Sequence, residues 1–256
     1  MKKYRILSFI LIMLLLVSGC GKTNKLEEPT KPNTEQSQTQ STPQEISKAA
    51  SEKMKALSNY KMNMKMTMSM SAEGTTLEMI TDADYTIDIK NNANYGQMTM
   101  SVMGMTSISE MYQLVKDGKV FSYSKEKDTD TWYVEEDTEE AMTSNEMFDL
   151  FDGELSYKEV TAKTSGAKAY EVTLTKEQVA KLTGDESINA TIETITLAME
   201  IKDDYIISMS LSMPAESDGM TMTVDLTINF SDFNTAGNVT IPNDVINKAV
   251  KQSTEQ

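Results

Sequence analysis

The 256-residue chain contains no histidine, a single cysteine and, after Arg5, no arginine. Without histidine, the Ser-His-Asp and Cys-His nucleophile systems and the common zinc sites are excluded. One cysteine cannot form a disulfide within the chain, and the lack of arginine removes bidentate clamps on phosphate groups. The net charge of -15 argues against nucleic acid as a partner, because nucleic-acid binding needs a basic surface that displaces counterions.

The remaining features of the sequence also give little support for an enzyme. Two Ser-x-x-Lys patterns, at Ser58 and Ser122, lack the supporting motifs of the enzymes that use them. The carboxylates mostly alternate along predicted strands, as expected for a solvated face. The acidic residues around Asp128 and Asp130 lack the glycine and spacing of a calcium-binding loop. We therefore predict a protein with no catalytic residues, no cofactor and no metal.

The first twenty residues have the pattern of a secretory signal. A basic start is followed by an apolar run over residues 6–17 and by small residues before Cys20. The run is shorter than the roughly 20 residues that span a bilayer as a helix. This segment resembles the lipobox of bacterial lipoproteins, which usually has leucine where this chain has Val17. The resemblance implies cleavage before Cys20 and a diacylglycerol on its sulfur; the alternative is an ordinary signal peptide with a chance cysteine.

The composition changes twice along the chain and so predicts its organisation. Residues 1–19 are the signal peptide, and residues 20–42 hold the lipidated Cys20 and a polar segment that we predict to be a disordered tether. Residues 43–250 have the apolar periodicity of one domain, and residues 251–256 form a frayed tail. The predicted location is the extracytoplasmic face of the cell membrane, where the lipid anchors the protein as a monomer.

Methionine is abundant, with 21 residues in the chain, and its spacing is regular. Between residues 62 and 70 every second residue is methionine, with polar residues between. In a β-strand such side chains share one face. The same alternation recurs near residues 98–102 and 220–230, so we predict that these strands form one apolar wall. Its members are Met62, Met64, Met66, Met68, Met70, Met98, Met100, Met220 and Met222.

The pattern of strands and helices predicts an α+β fold. About eleven long alternating strands indicate a large curled antiparallel sheet, or half-open barrel, with one apolar face. Capping boxes begin at Thr42 and Thr175 and predict helices there, the first over residues 43–58. A further helix is predicted over residues 139–152, and a short one over residues 242–250. The helices at 43–58 and 139–152 should cover the concave apolar face.

Several segments together resemble bacterial lipoproteins of the LolA/LppX-like superfamily. They are the lipobox, Ser-Asn-Tyr-Lys-Met-Asn-Met at 58–64, Gly-Lys-Val-Phe-Ser-Tyr at 118–123, Trp-Tyr at 132–133, and Phe-Ser-Asp-Phe-Asn at 230–234 before Ile-Pro at 241–242. The resemblance covers most of residues 43–250. It implies a half-barrel of about eleven strands whose concave face can hold acyl chains. Some such carriers place a buried arginine at the lid, which this chain lacks.

Three functions are compatible with the methionine wall. Flexible, polarizable thioethers suit a surface that accepts varied apolar shapes, so we predict binding of a lipid or acyl chain on the concave face. One alternative is a structural or protein-interaction module of the cell envelope with a filled core, which would use its acidic outer surface. A second alternative is copper(I) binding by thioethers, although no histidine or free thiol could complete the site.

Overall fold

The computed structural model describes residues 41–72, 75–137, 146–175, 178, 194–217 and 220–251. The predicted signal peptide, Cys20, nearly all of the predicted tether, and the helix predicted to begin after Thr175 lie outside these residues. The described helices are α1 (Pro43–Lys55), α2 (Glu146–Asp149) and α3 (Asn243–Lys248), with a 3-10 turn at Leu150–Asp152. None of the helices in the described part is long and apolar enough to cross a membrane.

Twelve strands of the described chain form one sheet. They are β1 (Asn59–Ala72), β2 (Thr75–Asp88), β3 (Ala93–Val102), β4 (Met105–Lys116), β5 (Lys119–Glu126), β6 (Tyr133–Asp137), β7 (Ser156–Val160), β8 (Lys168–Thr175), β9 (Thr194–Lys202), β10 (Tyr205–Ser217), β11 (Met220–Ser231) and β12 (Val250–Lys251). Their order is β12-β6-β5-β4-β3-β2-β1-β11-β10-β9-β8-β7. The sheet is not closed into a barrel. The predicted α+β fold with a large curled sheet is confirmed, with twelve strands instead of eleven.

Two antiparallel meanders, β1–β6 and β7–β11, make up most of the sheet. They join where β1 pairs with β11, from Lys61 opposite Ser231 to Ser71 opposite Thr221. The strand that sequence analysis missed is β12, which has two residues and runs parallel to β6. A strand of two residues is too short to show any alternation.

Helix α1 begins where the sequence predicts. The Oγ1 of Thr42 accepts a hydrogen bond from the amide of Glu45 at 3.3 Å, and the Glu45 carboxylate accepts one from the amide of Thr42 at 2.8 Å. The predicted capping box is therefore confirmed. A second reciprocal pair joins Thr175 and Gln178, which confirms the second box. The first helix ends at Lys55, three residues before the predicted Ser58.

Helices α1 and α2 pack together on one face of the sheet. Ala50 and Met54 of α1 are fully buried with Phe148 and Phe151 in the main apolar core. The Nζ of Lys55 lies 2.7 Å from carboxylate oxygens of both Asp149 and Asp152. Burial alone would lower the pKa of Lys55, but these hydrogen bonds raise it above the ordinary lysine value. The predicted cover of the apolar face is thus present in the described residues, and residues 139–145 of the second predicted helix lie outside them.

The two faces of the sheet are set by strand register. We call the face that carries the even residues of β1 the wall face and the opposite one the outer face. Met98 pairs with Ser109 in β4, so Tyr112 and Leu114 of β4 lie on the outer face. There they pack with Tyr123 and with the C-terminal segment in a second, smaller core. Its other members are Phe121, Trp132, Val134, Ile241, Val245 and Ala249. The apolar side of the sheet therefore changes from the wall face to the outer face between β3 and β5.

The segment that follows β11 is held by buried polar groups. The carboxylate of Asp88 is fully buried and accepts hydrogen bonds from the amide of Val239 at 2.8 Å and from the side chain of Asn91 at 2.7 Å. The side-chain oxygen of Asn59 accepts one from the amide of Ala236 at 2.9 Å. Each satisfied bond contributes about 1 kcal/mol net. These bonds direct the chain from β11 across the end of the sheet to α3.

Candidate functional site: the methionine wall

The five methionines of β1 lie at the centre of the sheet, with a strand on either side. Met64, Met66 and Met68 are buried, with exposed fractions of 9%, 9% and 2%. Met62 and Met70 are half-buried. The predicted common face is correct for this strand, because β1 is regular from Asn59 to Ala72 and alternates along its whole length.

The other predicted wall residues lie on the neighbouring strands. Met98 is the cross-strand partner of Ala83, and Met100 of Thr81; both methionines are half-buried on the wall face. Met222 pairs with Met70 and is also half-buried. Met220 begins β11, and its side chain lies outside the described part. The register therefore brings Met98, Met100 and Met222 to the same face as the methionines of β1.

Further methionines on the wall face were missed from the sequence. Met79, Met199, Met209 and Met213 are buried, and their strands pair so that each points to the side of Met68. One cross-strand row consists entirely of apolar side chains and contains, in order, Met213, Val224, Met68, Met79, Val102 and Met105. The alternation in β9 and β10 could have indicated these residues, but which face they share depends on pairing between remote strands.

The wall is closed in its middle and more open toward the C-terminal end of β1. Met64 belongs to the main core, together with Met54 of α1 and Phe148 of α2. Toward the C-terminal end of β1, Met70, Met100 and Met222 are half-buried. Methionine has three rotatable side-chain bonds and a polarizable sulfur, so half-buried thioethers can rearrange around an apolar guest. The arrangement offers an adaptable apolar surface next to a packed core.

Tyr85 occupies the wall face beside Met62, and its ring lies over Gly96 of β3. A Cβ built on Gly96 would lie 2.4 Å from both Cδ1 and Cε1 of the ring, so only glycine leaves room for it. Burial raises the pKa of Tyr85 to about 12, although a tyrosine hydroxyl of ordinary pKa is also uncharged at neutral pH. The ring therefore adds no charge to the wall.

A cavity of about 310 Å³ lies elsewhere, at the start of α1. It is lined by polar and charged groups, including Glu45, Lys168, Lys202, Asp203 and Asp204, together with Ile46 and Ala49. None of the methionines lines it. Its polar lining does not match an acyl chain, so it does not serve as the apolar pocket predicted from the sequence.

The outer face of β1 and β2 is polar and well satisfied. The side-chain amide of Asn63 donates to Asp82 at 3.1 Å and to Asp84 at 3.0 Å, and Lys61 forms an ion pair with Asp232 at 2.6 Å. Within the described residues, no group of three or more histidine, cysteine, aspartate or glutamate side chains is placed to hold a metal ion. Met68 and Met79 are cross-strand partners, but their burial favours packing over access by copper(I).

Comparisons with known proteins found similarity only among solved structures, since no family model and no curated protein matches the chain. LprF from Mycobacterium bovis is 12% identical, with 78% of this chain and 95% of that chain covered and a TM-score of 0.47. A β-barrel-like protein of the domain of unknown function DUF1849, from Brucella abortus, is 7% identical, with 68% of this chain and 98% of that chain covered and a TM-score of 0.33.

A third similar structure, a protein of the DUF1329 family from Desulfovibrio piger, is 10% identical, with 78% and 94% covered and a TM-score of 0.25. Identities of 12% or less transfer no ligand, partner or activity from these proteins to this chain.

Proposed function

We propose that the protein is a lipid-anchored, extracytoplasmic and non-catalytic protein that binds a hydrophobic ligand, a lipid or an acyl chain, against the methionine wall. The observation that carries the proposal is the extension of the wall beyond the packed core. Met70, Met100 and Met222 are half-buried on the same face as the buried Met68. A surface of flexible thioethers can take up apolar chains of differing shape.

The proposed anchor depends on the sequence around Cys20. The small residues before it and the apolar run over residues 6–17 are the features that a lipoprotein signal needs. Two or three acyl chains hold a protein on a membrane stably, since each buried methylene contributes about 0.8 kcal/mol. A binding surface for lipid would then act next to the membrane that supplies its ligand.

A packed centre favours a second candidate function. Met64, Met66 and Met68 are buried, and the cavity at the start of α1 is polar. Both observations agree with a structural or protein-interaction module of the cell envelope. In such a module the methionines of the wall face would be part of a filled hydrophobic core. Such a module would use its outer surface, where Asn63, Asp82 and Asp84 form a hydrogen-bonded polar group.

Two neighbouring residues of β3 allow a sharp test. Met100 lies on the wall face and Thr99 on the outer face, and both are half-buried. The protein is expressed as residues 21–256 without the lipid. In this protein we expect Met100→Glu to weaken the binding of a fluorescent long-chain fatty acid at least tenfold. A carboxylate at this place would have to lose its hydration beside the acyl chain. The matched variant Thr99→Glu should change the affinity less than twofold.

Native mass spectrometry of the same protein supplies an independent readout, because an acyl ligand acquired during expression adds a discrete mass. If neither a copurified ligand nor fatty-acid binding is detected, the wall is core and the envelope module is the better function. Equal loss of binding in both variants would also contradict the proposal, since it would place the ligand elsewhere. Thermal unfolding of each variant controls for loss of the fold.

A further inference from the structure

The turn between β3 and β4 presents two methionines to solvent. Met103 is 79% exposed and Met105 is 71% exposed, the highest values among the exposed large apolar side chains of the described part. Met103 and Gly104 both have positive φ, 52° and 79°. Such turns favour asparagine, aspartate or glycine. The β4–β5 turn uses Asp117 and Gly118, and the β9–β10 turn uses two aspartates, so methionine at this position is not explained by turn chemistry.

The whole hairpin end lacks charge. From residue 91 to residue 109 there is no aspartate, glutamate, lysine or arginine, although a quarter of the chain is charged. Lys90 and Glu110 mark the limits of this stretch. Placing a charged group in the apolar part of a bilayer costs several kcal/mol, and this tip would incur no such cost. The chain as a whole has a net charge of -15, but the uncharged tip is not repelled by anionic lipids.

The exposed tip is continuous with the buried wall. Met105 pairs with Val102, Val102 with Met79, and Met79 with Met68, which is only 2% exposed. Adjacent strands lie about 4.8 Å apart, so these three steps cover about 14 Å. An apolar path therefore runs from water to the centre of the wall without crossing a polar side chain in this row.

The tip lies at the end of the sheet away from α1. Met68 pairs with Met79, and Met79 pairs with Val102, so the tip lies beside the C-terminal half of β1. Helix α1, in contrast, leads into the first residue of β1. The 14 residues of β1 extend over about 45 Å. The chain from Cys20 to Ser41 can reach about 70 Å when extended, so an anchor at Cys20 permits the tip to contact the same bilayer.

We propose that the tip of the β3–β4 hairpin, residues 102–105, inserts into the surface of a lipid bilayer and docks the wall against it. Docking requires only the uncharged tip and a membrane. Its use as the route by which ligand passes between bilayer and wall rests on the proposed function. The occupant is the acyl and interfacial region of a bilayer, which accepts thioethers and needs no specific side-chain partner.

Tryptophan quenching by brominated phospholipid tests the docking. The chain has a single tryptophan, so Trp132→Phe provides a silent background. In this background the full lipidated chain carries Met103→Trp or, as the matched control, Asp117→Trp in the turn at the opposite end of β4. Both are reconstituted in phosphatidylcholine vesicles brominated on the acyl chains. We expect at least half of the emission at position 103 to be quenched, and little at position 117.

Met105→Trp in the same background serves as a second probe and should behave like Met103→Trp. Absence of quenching at both positions, or equal quenching at position 117, would overturn the proposal. Quenching at 103 by a brominated fatty acid but not by brominated vesicles would also overturn it, because the probe would then report bound ligand. The vesicle measurement needs no ligand and the Met100→Glu measurement needs no membrane, so failure of docking and failure of ligand binding are distinguishable.

Discussion

Gly96 illustrates how a single absent side chain shapes the wall. In the register of the sheet it lies between Tyr85 of β2 and Met111 of β4. Because it has no Cβ, the ring of Tyr85 can lie over β3 and remain 8% exposed. Glycine normally weakens a strand, and its presence here agrees with a site of close approach by another group.

We expect Gly96→Ala to destabilise the protein by about 1–3 kcal/mol, because the new methyl group would force Tyr85 out of its place. Urea unfolding followed by circular dichroism measures the change in the free energy of unfolding. Gly153→Ala is the matched control, since the nearest atom to its added Cβ would be the carbonyl oxygen of Leu150 at 4.0 Å. Equal losses in the two variants would refute the steric role assigned to Gly96.

The face of each residue within β1 could be predicted from sequence alone. Alternation of period two assigns Met62 to Met70 to one side without reference to any other strand. The degree of burial could not be predicted, because it depends on what lies above each position. Met64 belongs to the main core that includes helix residues, whereas Met70 near the far end of the same strand stays half-buried.

At the scale of elements, a local signal was sufficient to predict where α1 begins. The capping box at Thr42 is present as predicted, and both it and the Asp117-Gly118 turn are defined by a few adjacent residues. The change of apolar face in β4 and β5 could not be predicted in this way. Both sides of β4 contain apolar residues, Met111 on the wall face and Tyr112 on the outer face, so alternation alone does not distinguish them.

The C-terminal segment covers the second core, and Trp132 reports on it. The amide of Val250 donates to the carbonyl of Trp132 at 2.8 Å, and Val245 of α3 is buried in the same cluster. We expect Val245→Asp to release α3 and β12 and to shift Trp132 emission to the red, because a buried unpaired carboxylate is strongly unfavourable. The change is read from the fluorescence of the single tryptophan at neutral pH.

Ile246→Asp is the matched control for this prediction. Ile246 follows Val245 in the same helix but is 43% exposed, so a carboxylate there stays hydrated. The Trp132 emission of the Ile246→Asp variant should match that of the unmodified protein. A red shift of equal size in both variants would show that the burial of Val245 is not the cause.

At the scale of the whole molecule, the pairing of β1 with β11 could not be predicted from the sequence. The two strands lie about 160 residues apart, yet Met64 pairs with Ile228 and Met68 with Val224. Each strand shows its own alternation, but a register between remote strands follows from the packing of the complete sheet. This pairing joins the two meanders and makes the methionines of β1 the middle of one continuous wall.

The rate at which each methionine is oxidised measures how exposed its side chain is on and around the wall. A thioether becomes a sulfoxide only where the oxidant reaches it, so susceptibility follows exposure. With dilute hydrogen peroxide and peptide mass mapping, we expect Met103 and Met105 to oxidise first, Met70, Met98 and Met100 more slowly, and the buried Met54 and Met68 last.

A long-chain fatty acid added before the oxidant should then separate a binding wall from a filled core. Bound against the wall, it would protect Met70, Met98 and Met100 at least threefold. The rate at Met54 would not change, because this residue of α1 is already fully buried in the main core. Met103 serves as the internal control, since in the absence of a bilayer it stays in water whether or not ligand is bound. If the fatty acid altered none of these rates, the wall face would be core throughout. The partial exposure of Met70 and Met100 would then follow from their positions near the ends of β1 and β3 and not from a ligand.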